Sequence, residues 1–215
     1  MDQRCRICNS NTVKYQETKF GAYHHCAFCD FIFKDEKDLL TKADELEIYN
    51  SHNNSMEDPG YVAFLKAFIE NAILPFAPDQ KRGFDFGSGP EPVLAQLLER
   101  DYGYKMDIYD YYYSPWRSYE NKKYDLVSST EVVEHLKDPL TAFRLLKSLL
   151  NRDGILAVMT HFHPNDPQSF AGWHYIRDRT HISFYTPKTM EYIAEEVGLR
   201  IRYTDDIRYT TFTLK

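Results

Sequence analysis

The stretch Gly83-Phe84-Asp85-Phe86-Gly87-Ser88-Gly89-Pro90 constrains this chain more than any other. A short apolar run ends in two glycines, and Val93, Leu94, Leu97 and Leu98 then recur at helical spacing. That is a strand, a tight turn and a helix, and the alternation continues downstream. Strands are predicted over 104–109, 124–128 and 155–160, with a helix opened by Asp138-Pro139 between the last two. Asp58-Pro59 opens an earlier helix, and Thr186-Pro187 a later one that Gly198 closes. Residues 199–204 and 207–213 alternate like two strands around Asp205-Asp206. Strand alternating with helix, ending in a hairpin, predicts an α/β fold: a doubly wound parallel sheet with one antiparallel strand. Ligands of such sheets sit outside the carboxyl ends of the strands, so the glycine turn marks the site.

The first 34 residues differ. They hold all four cysteines, no proline and no leucine, and five Lys/Arg against three Asp/Glu. Cys5-x2-Cys8 and Cys26-x2-Cys29 are separated by seventeen residues, so each pair can sit on a turn and the chain between can return as a hairpin. Four thiolates then close a tetrahedral Zn²⁺ site with no open position. No basic and apolar export signal opens the sequence, which favours metal over disulfides. Residues 1–34 are therefore expected to form a structural zinc ribbon, unfolded without its metal. Residues 35–57 read as a polar linker or arm, with His52 and Asn53 as a surface loop or lid, and 58–215 as the main domain. The run Asp44-Glu45-Leu46-Glu47 reads as a solvated helix face.

Gly87 and Gly89 permit positive φ and let a ligand approach the backbone closely. Asp110 ends the next strand, twenty-five residues after Asp85, where a ribose diol can be gripped bidentately. This order points to a nucleoside-bearing cofactor. A dinucleotide turn wants a third glycine beside the pyrophosphate, whereas Glu91 stands near here and would repel it. S-adenosylmethionine carries no phosphate, and its ammonium and sulfonium are cationic, so acids around the turn favour it.

Asp85-x-Gly87-x-Gly89, Asp110 and the run from Tyr124 through Glu131, Glu134 and His135 to Leu136 resemble the successive motifs of class I S-adenosylmethionine-dependent methyltransferases. Residues 49–54 and 173–185 are similar to a bacterial branch whose members mostly have no assigned substrate. The resemblance covers about residues 49–215 and implies a Rossmann-like sheet. It also implies that Asp85, Gly87, Ser88 and Gly89 hold the methionine end of the cofactor. Asp110 would take the ribose, Tyr111 would flank the adenine, and Ser129 and Thr130 would lie against the methionyl group. Two departures stand out: Glu91 replaces the third glycine, and only thirteen residues (111–123) follow Asp110 before the next strand. A helix-plus-strand unit is expected to be missing there.

Methyl transfer needs a nucleophile in line behind the methyl carbon, about 3 Å away, so catalytic candidates belong on loops at the carboxyl edge. His181, oriented by Asp178 as a carboxylate fixes a histidine tautomer, is the candidate base. Glu134-His135 reads either as a base or as a hydrogen-bonded structural pair, and His161 and His163 are expected to face the pocket. The expected protein is a cytoplasmic methyltransferase that uses S-adenosyl-L-methionine, holds structural Zn²⁺ and acts on a small-molecule acceptor. The net charge of −6 argues against nucleic acid as a partner, and no apolar run is long enough for a membrane span. Two rivals remain: an RNA methyltransferase docking through the ribbon, and a non-catalytic binding module on a degenerate fold.

Overall fold

The computed structural model describes residues 3–51 and 54–215, so His52 and Asn53 lie outside the described residues. Strands β1 (Val13–Thr18), β2 (Gly21–His25) and β3 (Ile32–Lys34) come first, followed by helices α1 (Lys42–Ser51) and α2 (Pro59–Phe68). Next come β4 (Arg82–Phe86), α3 (Val93–Tyr102), β5 (Lys105–Tyr109), β6 (Tyr124–Thr130), α4 (Pro139–Ser148) and β7 (Leu150–Met159). The chain finishes with α5 (Pro167–Gly172), β8 (Ser183–Phe184), α6 (Pro187–Val197), β9 (Leu199–Thr204) and β10 (Tyr209–Leu214).

The large sheet has the order β5-β4-β6-β7-β10-β9. Its first four strands run parallel, and β10 lies antiparallel between β7 and β9. The sheet ends at β5 because residues 111–123 fold as turns, which agrees with the missing unit expected from their number. The helix starts follow their caps. Asp58 accepts from the N–H groups of Gly60 and Tyr61 at 2.8 and 3.1 Å, and Thr186 and Thr189 form a reciprocal capping box. Gly198, at φ +72°, closes α6.

From β4 the chain turns one way to β5 and then returns to place β6 on the other side of β4. The carboxyl ends of β4 and β6 therefore flank the switch in strand order, where a crevice must open.

The N-terminal segment is joined to this body rather than hung from it. Its strands form a second sheet, β1-β2-β3-β8, whose fourth strand comes from the loop before α6. Cys5, Ile7, Cys26, Cys29, Phe31 and Phe33 share one apolar core with Phe84, Phe143 and Tyr185. Lys34 is fully buried, and its ammonium donates to the Arg179 carbonyl at 2.8 Å; burial pulls its pKa down to about 8. Thr189 donates to the Cys29 carbonyl at 2.7 Å.

Candidate active site

A cavity of about 610 Å³ opens at the carboxyl ends of β4 and β6. That is room for a nucleoside-sized ligand. Six carboxylates line it, from Glu45, Asp85, Glu91, Asp110, Glu131 and Asp178. No lysine or arginine is among its described lining residues.

The glycine turn forms one wall. Gly87 and Gly89 have φ of +83° and +69°, and Gly87 packs so closely on Val132 that there is no room for a side chain. Asp85 is 2% exposed and accepts from the Ser128 hydroxyl at 2.8 Å. Burial pushes its carboxyl up to about 7; the Ser128 bond opposes the rise and the nearby Asp110 charge adds to it. The Asp110 carboxylate is partly committed. Its Oδ2 accepts from the Gly89 N–H at 3.0 Å, and its Oδ1 from the Tyr112 and Tyr113 N–H groups at 2.9 and 3.0 Å. Three of about four acceptor positions are thus filled, which leaves room on Oδ2 alone and corrects the expectation of a bidentate grip.

Ser129 and Thr130, expected side by side, part company. Thr130 lines the cavity with Ser88 and Asp85, whereas Ser129 is fully buried away from it. Side chains alternate across a strand, and Ser128, which reaches Asp85, shares its face with Thr130. The alternation alone was enough to separate the two.

The arm closes the opposite wall. Helix α1 buries no residue and has no apolar face, yet Glu45 reaches the cavity, accepting from Tyr49 at 2.9 Å and from Tyr112. Tyr113 donates to Asn50 at 2.8 Å, and the half-exposed Tyr111 sits under the Lys42 ammonium. The tyrosine run therefore docks the arm as well as walling the cavity. Glu91, at the place of the family's third glycine, accepts from the Met56 N–H at 3.1 Å and so ties the arm to the turn. Glu91→Gln keeps the acceptor oxygen and should keep the tie, whereas Glu91→Ala should free the arm. The expected difference is faster amide exchange over residues 54–58 in the alanine variant alone. Equal exchange in both variants would remove Glu91 from this role.

At the far end stand the residues after β6. Glu131 follows the strand at φ +53°, an uncommon conformation for its residue type, and residues 133–135 form a single 3-10 turn. Burial pulls the His135 pKa down to about 3, so its imidazole is neutral. His135 Nδ1 lies 3.1 Å from the Thr180 carbonyl, and His181 Nδ1 lies 2.8 Å from the Tyr175 carbonyl. A carbonyl only accepts, so both rings carry a proton on Nδ1, and in the neutral His135 ring Nε2 is the basic nitrogen. The Asp178 carboxylate stands 3.9 Å from His181 Nε2 and accepts from the Thr180 N–H and hydroxyl. The Tyr175 carbonyl thus accepts the Nδ1 proton of His181, with Asp178 on the Nε2 side of the same ring. His161 and His163 do not face the cavity either. His161 packs among Trp173, His174 and Tyr175, and His163 reaches the Asp30 carbonyl at 2.8 Å.

Away from the cavity, the four cysteines converge. Cys5 and Cys29 sulfurs are 3.6 Å apart, those of Cys8 and Cys26 are 3.3 Å apart, and all four lie within 4.8 Å of one another. Ligands at about 2.3 Å from one tetrahedral ion stand about 3.8 Å apart, so the set needs little adjustment to hold one.

The family model described as "Methyltransferase domain" matches residues 61–204. Among solved structures, the mitomycin 7-O-methyltransferase MmcR is similar at TM-score 0.54 and 14% identity, over 79% of this chain and 60% of that one. An O-methyltransferase family protein from Burkholderia thailandensis is similar at TM-score 0.54 and 13% identity, over 71% of this chain and 55% of that one. So is Haemonchus contortus phosphoethanolamine N-methyltransferase 2, whose structure holds phosphomonomethylethanolamine and S-adenosylhomocysteine, at TM-score 0.54 and 14% identity, over 76% of this chain and 55% of that one. The present chain thus spans little more than half the length of these proteins, and at such identities the likeness is one of fold. No curated protein sequence matches. Among the described residues no helix is long and apolar enough to cross a membrane. The Rossmann-like sheet and the match over most of the chain agree: the chain belongs to the methyltransferase-domain family.

Proposed function

We propose that the cavity binds S-adenosyl-L-methionine and that its methyl group is passed to a small-molecule acceptor. One observation carries this reading: six carboxylates and no lysine or arginine surround a glycine turn at the switch point of the sheet. Such a wall repels phosphates and attracts an ammonium and a sulfonium. The H. contortus neighbour, with bound S-adenosylhomocysteine and phosphomonomethylethanolamine, supports this donor, and it and the mitomycin 7-O-methyltransferase support a small-molecule acceptor.

Asp85, Gly87, Ser88 and Gly89 would hold the methionine end, with Thr130 beside it. Asp110 would give one oxygen to the ribose, and Tyr111 would cover the adenine. His135, His181 and Asp178 would face the acceptor, and the basic Nε2 atoms would draw off its proton or hold the group that does. Cys5, Cys8, Cys26 and Cys29 would bind a structural Zn²⁺. In this division of labour residues 1–34 are a zinc ribbon that braces the acceptor wall, 35–57 an arm over the cofactor, and 58–215 the catalytic domain.

Asp85 gives the pH test. Its pKa in the free protein is raised from 3.8 to about 7, so it is largely neutral below neutrality. A cationic ligand prefers the carboxylate, so binding should weaken about tenfold for each pH unit below about 7 and level off above about 8. The free fold responds oppositely. Its stability from this group is fully present below 3.8 and is lost as the pH rises through about 7. Asp85→Asn should therefore bind S-adenosylmethionine poorly at every pH yet melt no lower than the parent at pH 8. Calorimetric titrations between pH 6 and 8.5 read both; a flat affinity for the parent would take Asp85 out of the cofactor site.

A further inference from the structure

One group of side chains at the far end of the cavity is unfinished. Glu134 is fully buried, and its Oε2 has no hydrogen-bond partner. Its Oε1 accepts from the Tyr175 hydroxyl at 2.5 Å, and the same hydroxyl lies 3.0 Å from Oε2 of Glu131. A phenol has one proton to donate. Two carboxylates therefore share one donor, and among the described residues no lysine or arginine forms an ion pair with either. Beside them stand the His135 and His181 rings, with centroids 4.8 Å apart and each with its Nδ1 on a backbone carbonyl. One ligand atom from each of Glu134, His135 and His181 falls within 4.8 Å of the others.

We propose that Glu134, His135 and His181 bind a divalent cation at the acceptor end of the cavity, a site distinct from the four cysteines. Ligands about 2.1 Å from one ion stand roughly 3–4 Å apart, so sub-ångström side-chain shifts close the set. Two imidazoles and a carboxylate suit Mn²⁺, Fe²⁺, Co²⁺ or Zn²⁺ better than a thiolate-loving or purely oxygen-loving ion. The backbone carbonyls on both Nδ1 atoms are the outer partners that fix a metal-binding histidine in its tautomer. Three protein ligands leave coordination positions open toward the cavity that His135 and His181 line.

This deepens the proposed methyl transfer and rests on it for its chemistry: the acceptor class is one that offers an oxygen donor. A hydroxyl oxygen held on such a cation loses its proton more readily, and the proton leaves to solvent. The oxygen then forms a bond to the methyl carbon as the carbon–sulfur bond breaks. The sulfonium charge cancels the oxyanion, giving a methyl ether and a neutral thioether.

Mn²⁺ is the probe, because the cysteine cluster does not favour it. The full chain, with its cysteine site loaded with zinc, is titrated with Mn²⁺, and the free ion is followed by electron paramagnetic resonance. The expected result is one Mn²⁺ per chain, weakened at least tenfold in Glu134→Gln and in His181→Ala. Glu134→Gln keeps the side-chain shape and the oxygen that accepts from Tyr175, so it should fold and melt close to the metal-free parent, and a failed fold cannot mimic the loss. No Mn²⁺ binding by the parent, or equal binding by parent and variants, overturns the site. S-adenosylmethionine binding is measured separately on the same samples. If Mn²⁺ binds as expected and the donor does not, the cation site stands and the methyl-transfer reading fails.

Discussion

Gly87→Ala is expected to abolish binding of S-adenosylmethionine, with at least a hundredfold loss of affinity, and to melt well below Gly89→Ala. The two glycines are two residues apart and both have positive φ, but their surroundings differ. A Cβ on Gly87 would stand 2.3 and 2.9 Å from the two methyl groups of Val132; one on Gly89 would meet nothing within 4 Å. Left-handed backbone costs a non-glycine residue about 1–2 kcal/mol. Overpacking adds about 1–3 kcal/mol, a large share of a fold worth about 5–15 kcal/mol. Val132 lies between Glu131 and the turn that carries Glu134 and His135, so relief of the clash moves both ends of the cavity. Val132→Ala in the Gly87→Ala background should restore part of the affinity, as removal of the clashing methyls requires. Calorimetry and thermal melts of the parent and the three variants read the comparison, and equal affinity in Gly87→Ala and the parent would contradict it.

Removing metal from the cysteine cluster should have the second large effect, and it should reach beyond the first 34 residues. Metal binding contributes roughly 10 kcal/mol or more to small zinc-binding segments, against about 1 kcal/mol for an ordinary hydrogen bond. The hydrogen bonds of Lys34 to Arg179, Thr189 to Cys29 and His163 to Asp30 are each worth about a tenth of that, so the segment is expected to loosen despite the apolar core it shares with the body. Strand β3 then leaves β8, two residues after His181, and the wall carrying Asp178 and His181 loses its backing. Chelation or Cys29→Ser is therefore expected to lower the melting temperature strongly and to speed exchange across residues 173–185. One zinc per chain by elemental analysis is the matching expectation. An unchanged melt after the metal is stripped would show that the four thiols need no ion.

Much of this was legible because local rules acted alone. Asp58-Pro59, Asp138-Pro139 and Thr186-Pro187 begin helices whose caps are visible in sequence, and the thirteen residues after Asp110 were too few for another unit of the sheet. Glu45 was not legible: α1 has no apolar periodicity, and its place is set by distant tyrosines rather than by a buried face. Glu131 was hidden for a related reason, since a left-handed glutamate leaves no pattern in the sequence. The joining of the N-terminal sheet to the main body runs through β8, only two residues long and too short to announce itself. His161 and His163 miss the cavity because, past the end of the strand, His161 packs on Trp173 and His163 bonds the Asp30 carbonyl, partners far away in sequence or without local pattern.

The central claim is that a cavity walled by carboxylates selects a phosphate-free cationic nucleoside. Thermal shift with S-adenosylmethionine, NAD and ATP at equal concentration, at pH 8, tests it most directly. Ligand at one hundred times its dissociation constant stabilises a fold by about 2.7 kcal/mol, several degrees for a chain of this size. That shift is expected for S-adenosylmethionine and none for NAD or ATP. Stabilisation by NAD or ATP, with S-adenosylmethionine inert, would contradict it.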